Sequence, residues 1–367
     1  MRNNSTNINT ASHQWATRPA DQRYTSIAEL KAAVLQRRQE SWTATPASNQ
    51  LRVLPSQEGE IQVQVFDPTV GEQRQLDVTN WSFGQLAQYA SAPTGYLRKL
   101  PAELAAINLQ WGLEHASVRD STLVLGQSNG SHTLRSLTSL SYGRIWDHQV
   151  VEAVERVNAD GRWKIPASSY ATTNPKRATT LYASDRDVFL FLVDPENPVE
   201  VGNEQLFRGF YTWNSEVGSA TFGLTTFLYR HVCDNRIIWG ASDVREVRIR
   251  HTGGAPERFA YEGQKYLQRY AEESTEKLVG AVKRAQATEI PLNKGKGETV
   301  QDWLSSRGFT KSQAKASVDV AEAEQGSSRS LWDIVNGITA YARSIGNTDD
   351  RVSLETKAGK LMEAVAE

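Results

Sequence analysis

Two hydrophobic periods run along this chain, and the switch between them divides it. Over residues 24–40, Ile27, Leu30, Val34 and Leu35 recur at helical spacing, behind Thr25 or Ser26 as a cap. Over residues 61–67 the period falls to two. Ile61, Val63, Val65 and Phe66 interleave with Gln62, Gln64 and Asp67, which predicts a strand. Helices follow over residues 79–90 and from Pro101, the second carrying Leu104, Ile107, Leu109 and Leu113.

From residue 121 to 252 strands predominate. Residues 122–126 and 132–137 flank Asn129-Gly130, the strongest short hairpin signal in the chain. Asp147 is placed to cap a helix whose stripe is Val150, Val151, Val154 and Val157. A second hairpin is predicted for residues 180–183 and 188–193, and further strands for 207–213, 220–231, 236–239 and 244–251. About eight strands with two or three inserted helices make an α+β layout, a mostly antiparallel twisted sheet.

At Gly253-Gly254 the alternation stops. Residues 256–288 read as one long helix rich in Glu, Lys, Arg and Gln. Pro291 ends it, and further helices are expected over 299–305, 310–325 and 328–345. The organisation predicted is therefore a disordered Asn/Thr-rich arm (1–22), an α+β core (23–254), a helical region (255–345) and a tail (346–367).

Composition narrows the function classes. The chain has 367 residues, 41 basic against 42 acidic, a net charge of −1 and 39% hydrophobic residues. A globular core is feasible, and nucleic-acid binding by bulk charge is excluded, though a local basic face is not. The single cysteine, Cys233, rules out an internal disulfide and a cysteine-based zinc cluster and fits a reducing, cytoplasmic setting. No apolar run reaches membrane-span length and the N-terminus lacks the apolar middle of a signal peptide, so no membrane partner is expected.

Little of the obvious chemistry is present. His231 and Cys233 share one strand face, but such neighbours point in parallel, and the thiol reads as a small buried hydrophobe. The six histidines form no ligand-spaced pair, no glycine-rich stretch matches a phosphate loop, and neither a metal nor a cofactor is expected. One segment is suggestive. Six arginines stand against four acids between Gln205 and Gly254, and Arg248 and Arg250 share one face of a strand while Val247 and Ile249 share the other. With Arg208, Arg230 and Arg236 on nearby strands, and Trp213 among several rings, these residues predict an arginine–aromatic sheet face able to hold single-stranded DNA. The plainer reading of those positions is a solvated strand face over an aromatic core. Asn214, Ser215 and Glu216 form a second polar candidate, either oxygen donors to a ligand or a turn joining two strands.

The stretch Arg208-Gly-Phe-Tyr-Thr-Trp-Asn-Ser-Glu-Val-Gly218, with Tyr229-Arg-His-Val-Cys-Asp-Asn235, resembles the phage/plasmid-like family, a domain-of-unknown-function group encoded by phages, plasmids and other mobile elements. Gly95–Pro101, Arg135–Ile145 and Ser330–Tyr341 carry the same resemblance, which spans residues 44–341. Where the family pattern has an acidic–basic pair before Tyr142, this chain has Leu140-Ser141. The resemblance implies a mobile-element setting and work on DNA, and assigns no catalytic residue. Three functions follow as expectations: binding or annealing of single-stranded DNA, with self-association of the chain; non-enzymatic interaction in host takeover or defence; and a nucleic-acid-processing enzyme drawing on Glu216, Asp185, Asp187 or Asp194.

Overall fold

The computed structural model describes residues 19–115, 122–128, 130–166, 179–202, 204–230, 235–237, 247–272, 276–345, 354 and 357–362. The predicted disordered arm lies almost wholly outside them, as does most of the tail. Cys233 and His231 fall outside as well.

The architecture is α+β with two sheets rather than the single one expected. The first sheet holds β2 (Ser41–Ala44), β3 (Arg52–Pro55), β4 (Ile61–Asp67), β5 (Glu72–Val78), β6 (Thr122–Ser128) and β7 (His132–Ser139), in the order β2-β6-β7-β5-β4-β3. Its one parallel pair is β5 with β7. The second holds β1 (Arg23–Tyr24), β8 (Leu181–Ala183), β9 (Val188–Val201), β10 (Glu204–Asn214), β11 (Phe222–Arg230) and β12 (Asn235–Ile237), with β13 (Val247–Ile249) also on β11, and every pair is antiparallel.

Helices cover the first sheet on one side. In α2 (Asn80–Tyr89) and α4 (Ala102–His115), joined through the short α3 (Thr94–Leu97), Leu86, Ala87, Ala105, Ala106 and Leu109 meet Val63, Val65 and Leu76 of the strands. The predicted stripe of α4 divides. Leu109 and Leu113 are buried, whereas Leu104 is 49% and Ile107 63% exposed. The helix turns its alanines and Gly112 inward because the backbone at Ala90 comes so close that a Cβ on Gly112 would stand 2.3 Å from the Ala90 carbonyl oxygen.

In the second sheet the two faces carry different chemistry, as a period of two dictates. Leu190, Leu192, Phe210, Phe222 and Ile249 point to α1 (Ile27–Gln39), α5 (Asp147–Val157) and the run formed by α6 (Ala255–Arg258), a π turn (Phe259–Gly263) and α7 (Gln264–Glu272). Phe189, Phe191, Tyr211 and Trp213 point the other way, Tyr211 stacking on Trp213 with centroids 5.6 Å apart. Trp213 lies across its β11 partner Gly223, where a Cβ would stand 1.9 Å from the indole, and Trp42 covers Gly126 in the first sheet in the same way.

The C-terminal region is helical: α8 (Glu276–Ala287), α9 (Val300–Ser305), α10 (Lys311–Gln325) and α11 (Leu331–Arg343). The last three open on reciprocal caps, Thr299 with Asp302, Thr310 with Gln313 and Ser330 with Asp333, each satisfying two otherwise unpaired backbone N–H groups. These helices form their own core, and Val199, Val201 and Leu206 at the far end of the β9–β10 hairpin enter it. The hairpin thus joins the helical region to the second sheet, and β12 also meets α11.

Candidate functional site

The loop after β10 begins with Asn214, Ser215 and Glu216, and all three side chains are buried. It is a turn and a polar cluster at once. Ser215 Oγ accepts from the backbone N–H of Val217 and Ser219 and donates to the Arg186 carbonyl at 2.6 Å, which fixes the turn. Trp81 Nε1 and Gln85 Nε2 of α2 both donate to the Val217 carbonyl at 2.9 Å, which docks the loop against the first sheet's helix layer.

The charges sit beneath that turn. Glu216 Oε2 lies 2.7 Å from Arg135 Nη2 of β7, and Glu216 Oε1 accepts from the Asp147 backbone N–H at 2.9 Å. Arg144 donates to the Glu216 carbonyl, and Tyr142 Oη donates to the Ser215 carbonyl at 2.8 Å. Asn214 Nδ2 donates to Asp147 Oδ1 and to the Ile145 carbonyl, both at 2.8 Å. Arg37 of α1 stands 3.8 Å from Asp147 Oδ2, and Arg135 reaches Ser41 Oγ at 3.2 Å. Asp147 was expected to cap α5. It is instead the first helical residue, Trp146 takes the cap position, and the carboxylate turns inward because Asn214 offers it a donor.

Burial of these groups pulls their ionisation apart. Burial, reinforced by Glu216, raises Asp147 well above the ordinary carboxylate range. Burial also pushes Glu216 up, but Arg135, the Asp147 N–H and Arg37 outweigh it and hold Glu216 below its usual value. Desolvation lowers Arg144 to about 10 and raises the Tyr142 hydroxyl. His251 stacks on Tyr142 with centroids 5.0 Å apart, Nδ1 donating to the Gly143 carbonyl at 3.0 Å. Burial, with Arg144 adding to it, lowers His251 to about 4, so the ring is neutral at pH 7.

Chemically this is a clamp. The Glu216 carboxylate is spent on Arg135 and a backbone N–H, and the Ser215 and Tyr142 hydroxyls on backbone carbonyls. A perturbed carboxylate marks a catalytic candidate when it opens on a cleft, and Glu216 is only 1% exposed. Among the described residues no group of three His, Cys, Asp or Glu side chains is arranged to hold a metal ion. Of the other acidic candidates, two have partners of their own. Asp194 is bound by Arg162, Asp187 accepts from Ser184 Oγ at 2.6 Å, and Asp185 is exposed.

Of the residues expected on a DNA-binding face, Arg208 and Trp213 are buried. Arg208 is 1% exposed, donates to the Tyr270 carbonyl and lies 4.3 Å over the Tyr270 ring. Arg162 donates to the next carbonyl, Ala271, at 2.8 Å, so two arginines satisfy the C-terminal turn of α7. Trp213 is 6% exposed, its ring spent on Gly223 and Tyr211. Arg248 pairs with Gly223 across β11–β13 and lies 5.9 Å over the Trp213 ring, with exposed Arg250 two residues on. Arg230 and Arg236 lie on β11 and β12 next to each other's partners, Tyr229 opposite Arg236 and Arg230 opposite Asn235, and their side chains are outside the described set.

Residue patterns alone missed Arg37, Arg135, Arg144 and Asp147 as partners of the Asn214–Glu216 turn. The signal was available for two of them, since Arg135 and Arg144 bracket a stretch that carried the family resemblance.

A buried charge clamp on a two-sheet α+β scaffold defines an architecture rather than an activity, and the family agrees with that level of description. The chain belongs to the DUF932 family, a domain of unknown function, whose model matches residues 169–364, just over half of it. The match contains the Asn214–Glu216 turn, β8 to β13 and the helical region. Arg37, Arg135, Arg144 and Asp147 come from outside it. No curated protein and no solved structure matches this chain.

Proposed function

We propose that this protein binds single-stranded DNA through phosphate contacts from β13 and the residue that follows it, in a phage- or plasmid-like setting. The observation that carries the reading is the placement of Arg248 and Arg250. They lie two residues apart, so both project from the face opposite Ile249, and Arg250 is exposed. The row Trp213–Gly223–Arg248 across three strands supports the first of them, the indole offering its ring face to the guanidinium. With Trp213 and Tyr211 buried, base stacking falls outside the proposal, and binding is by charge and blind to sequence. A fluorescence-anisotropy titration of a labelled single-stranded oligonucleotide at several salt concentrations tests it. Arg248→Ala/Arg250→Ala is expected to weaken binding and to flatten the log affinity–log salt slope by about 0.7 for each phosphate no longer neutralised. Equal affinity of parent and double variant at low salt would overturn it.

A second reading, an interaction protein, is supported by α4. Leu104, Ile107 and Trp111 follow one another at helical spacing and are all largely exposed, and His115 stacks on Trp111 at 4.2 Å. An apolar stripe of that kind on a helix fits a protein partner better than a nucleic acid.

A further inference from the structure

A groove of about 630 Å³ lies between α5 and α7 and is independent of the clamp and of β13. Its charged lining is balanced, Arg156 and Arg162 against Asp160 and Glu272. Most of that charge is already engaged. Arg162 is held by Asp194 and the Ala271 carbonyl, and its own backbone N–H donates to Asp160 Oδ1 at 3.0 Å. A strongly anionic or cationic ligand therefore meets as much repulsion as attraction.

What the groove offers instead is a neutral donor–acceptor pattern. Gln264 and Gln268 stand one turn apart on the same side of α7. The Gln264 carbonyl accepts from Arg156 Nη2 at 3.1 Å, which leaves its amide –NH₂ as a donor. The Gln268 amide donates to Glu272 Oε1 at 3.0 Å, which leaves its carbonyl as an acceptor. These partners fix which way each amide is turned. Trp163 forms part of the wall, and its buried indole N–H finds no acceptor among the described residues. Ala153 and Ala271 keep the walls low.

From this pattern we infer that the groove between α5 and α7 binds a nucleobase, a neutral planar ring whose edge carries a donor and an acceptor side by side. Here one glutamine supplies the donor and the other the acceptor, and the volume lies within the range of small-molecule sites. The base arrives either as a free nucleoside or as an unstacked base of a strand.

The test is a titration of the full chain with adenosine, thymidine, an oligo-dT strand and inorganic phosphate, followed by the Trp163 indole N–H resonance, assigned by its loss in Trp163→Phe. A saturable shift with a nucleoside supports the inference with a free ligand, and one with the oligonucleotide alone supports it with a strand. In either case Gln264→Ala and Gln268→Ala, both on helical positions that accept alanine, are expected to weaken binding about tenfold each. The inference is overturned if no base-containing probe moves the resonance up to about 10 mM, where a 1 mM ligand would be near saturation. It is equally overturned if phosphate alone moves it, or if the glutamine variants bind as the parent does.

Discussion

Arg135 Nη2 stands 2.7 Å from Glu216 Oε2, and this pair ties the middle of the first sheet to the turn that ends the long hairpin of the second. Both side chains are almost wholly buried, so each charge depends on the other. Removing one partner from such a pair costs about 3–5 kcal/mol, because the remaining charge is left in a low dielectric. Glu216→Ala and Arg135→Met should each lower the urea midpoint accordingly. The double variant should lose clearly less than the sum. Additive losses in that double-mutant cycle would show that the two side chains are not coupled.

His251 gives the clamp a sign with pH. Its folded value of about 4 lies below the usual 6.5, so the unfolded chain binds the extra proton first as pH falls. The stability this ring contributes is complete above pH 6.5 and is lost as pH falls from there to about 4, a loss of about 3 kcal/mol for a shift of this size. His251→Gln keeps an amide donor for the Gly143 carbonyl and removes the titration. Melting curves of parent and variant across that window should therefore converge at low pH. A stability difference between parent and variant that stays constant from pH 6.5 to 4 would refute the assignment.

Gly223 and Gly126 make the same prediction in different sheets. A Cβ at either would fall inside the covering indole, 1.9 Å from Trp213 in one case and 2.3 Å from Trp42 in the other. Gly223→Ala and Gly126→Ala should each destabilise the fold by about 1–3 kcal/mol, the cost of forcing a ring out of place. Pairing Gly223→Ala with Trp213→Leu should recover part of that loss in thermal unfolding, since the smaller side chain vacates the volume.

Much of this fold could be read from the periods of the chain. The two hairpins, α1, α2, α4, α5 and the three capped C-terminal helices stand where apolar spacing and Ser/Thr caps put them. β2, β3 and β5 escaped, and β5 shows why. Its sequence Glu-Gln-Arg-Gln-Leu-Asp-Val has Leu76 as its one fully buried apolar residue, so no alternation announces it, and pairing with β4 and β7 makes it a strand. The clamp was half legible. Polar residues in the Asn214–Gly218 stretch pointed to a turn or a site, but Arg37, Arg135 and Asp147 lie 67 or more residues away from that turn, and only tertiary folding brings them there.

The exposed stripe of α4 separates stability from interaction. Ile107 and Trp111 are both 63% exposed, so Ile107→Lys and Trp111→Lys remove little buried surface and should change the unfolding free energy by no more than about 0.5 kcal/mol. If the stripe receives a partner helix or groove, the same variants should abolish co-purification of that partner and any concentration-dependent self-association seen by light scattering. Loss of folding in these variants would instead place the stripe in the core.

Arg208 and Arg250 allow the DNA reading to be separated from the fold that carries it. Both were candidates for one binding face, yet Arg208 is buried against Tyr270 and satisfies the end of α7, whereas Arg250 is exposed. Arg208→Met removes the donor to the Tyr270 carbonyl and a cation from the ring face. It should cost about 2–4 kcal/mol, a buried charged hydrogen bond with its packing, while the affinity of the folded fraction for single-stranded DNA and its salt slope stay unchanged. Arg250→Ala should do the reverse. Its melting temperature should match the parent, because an exposed side chain past the end of a strand supports little, and its salt slope should fall by about 0.7. Measuring both variants by differential scanning calorimetry and by anisotropy titration resolves the two roles. A salt slope altered by Arg208→Met and unaltered by Arg250→Ala would assign the phosphate contact to the wrong arginine and end the proposal for β13.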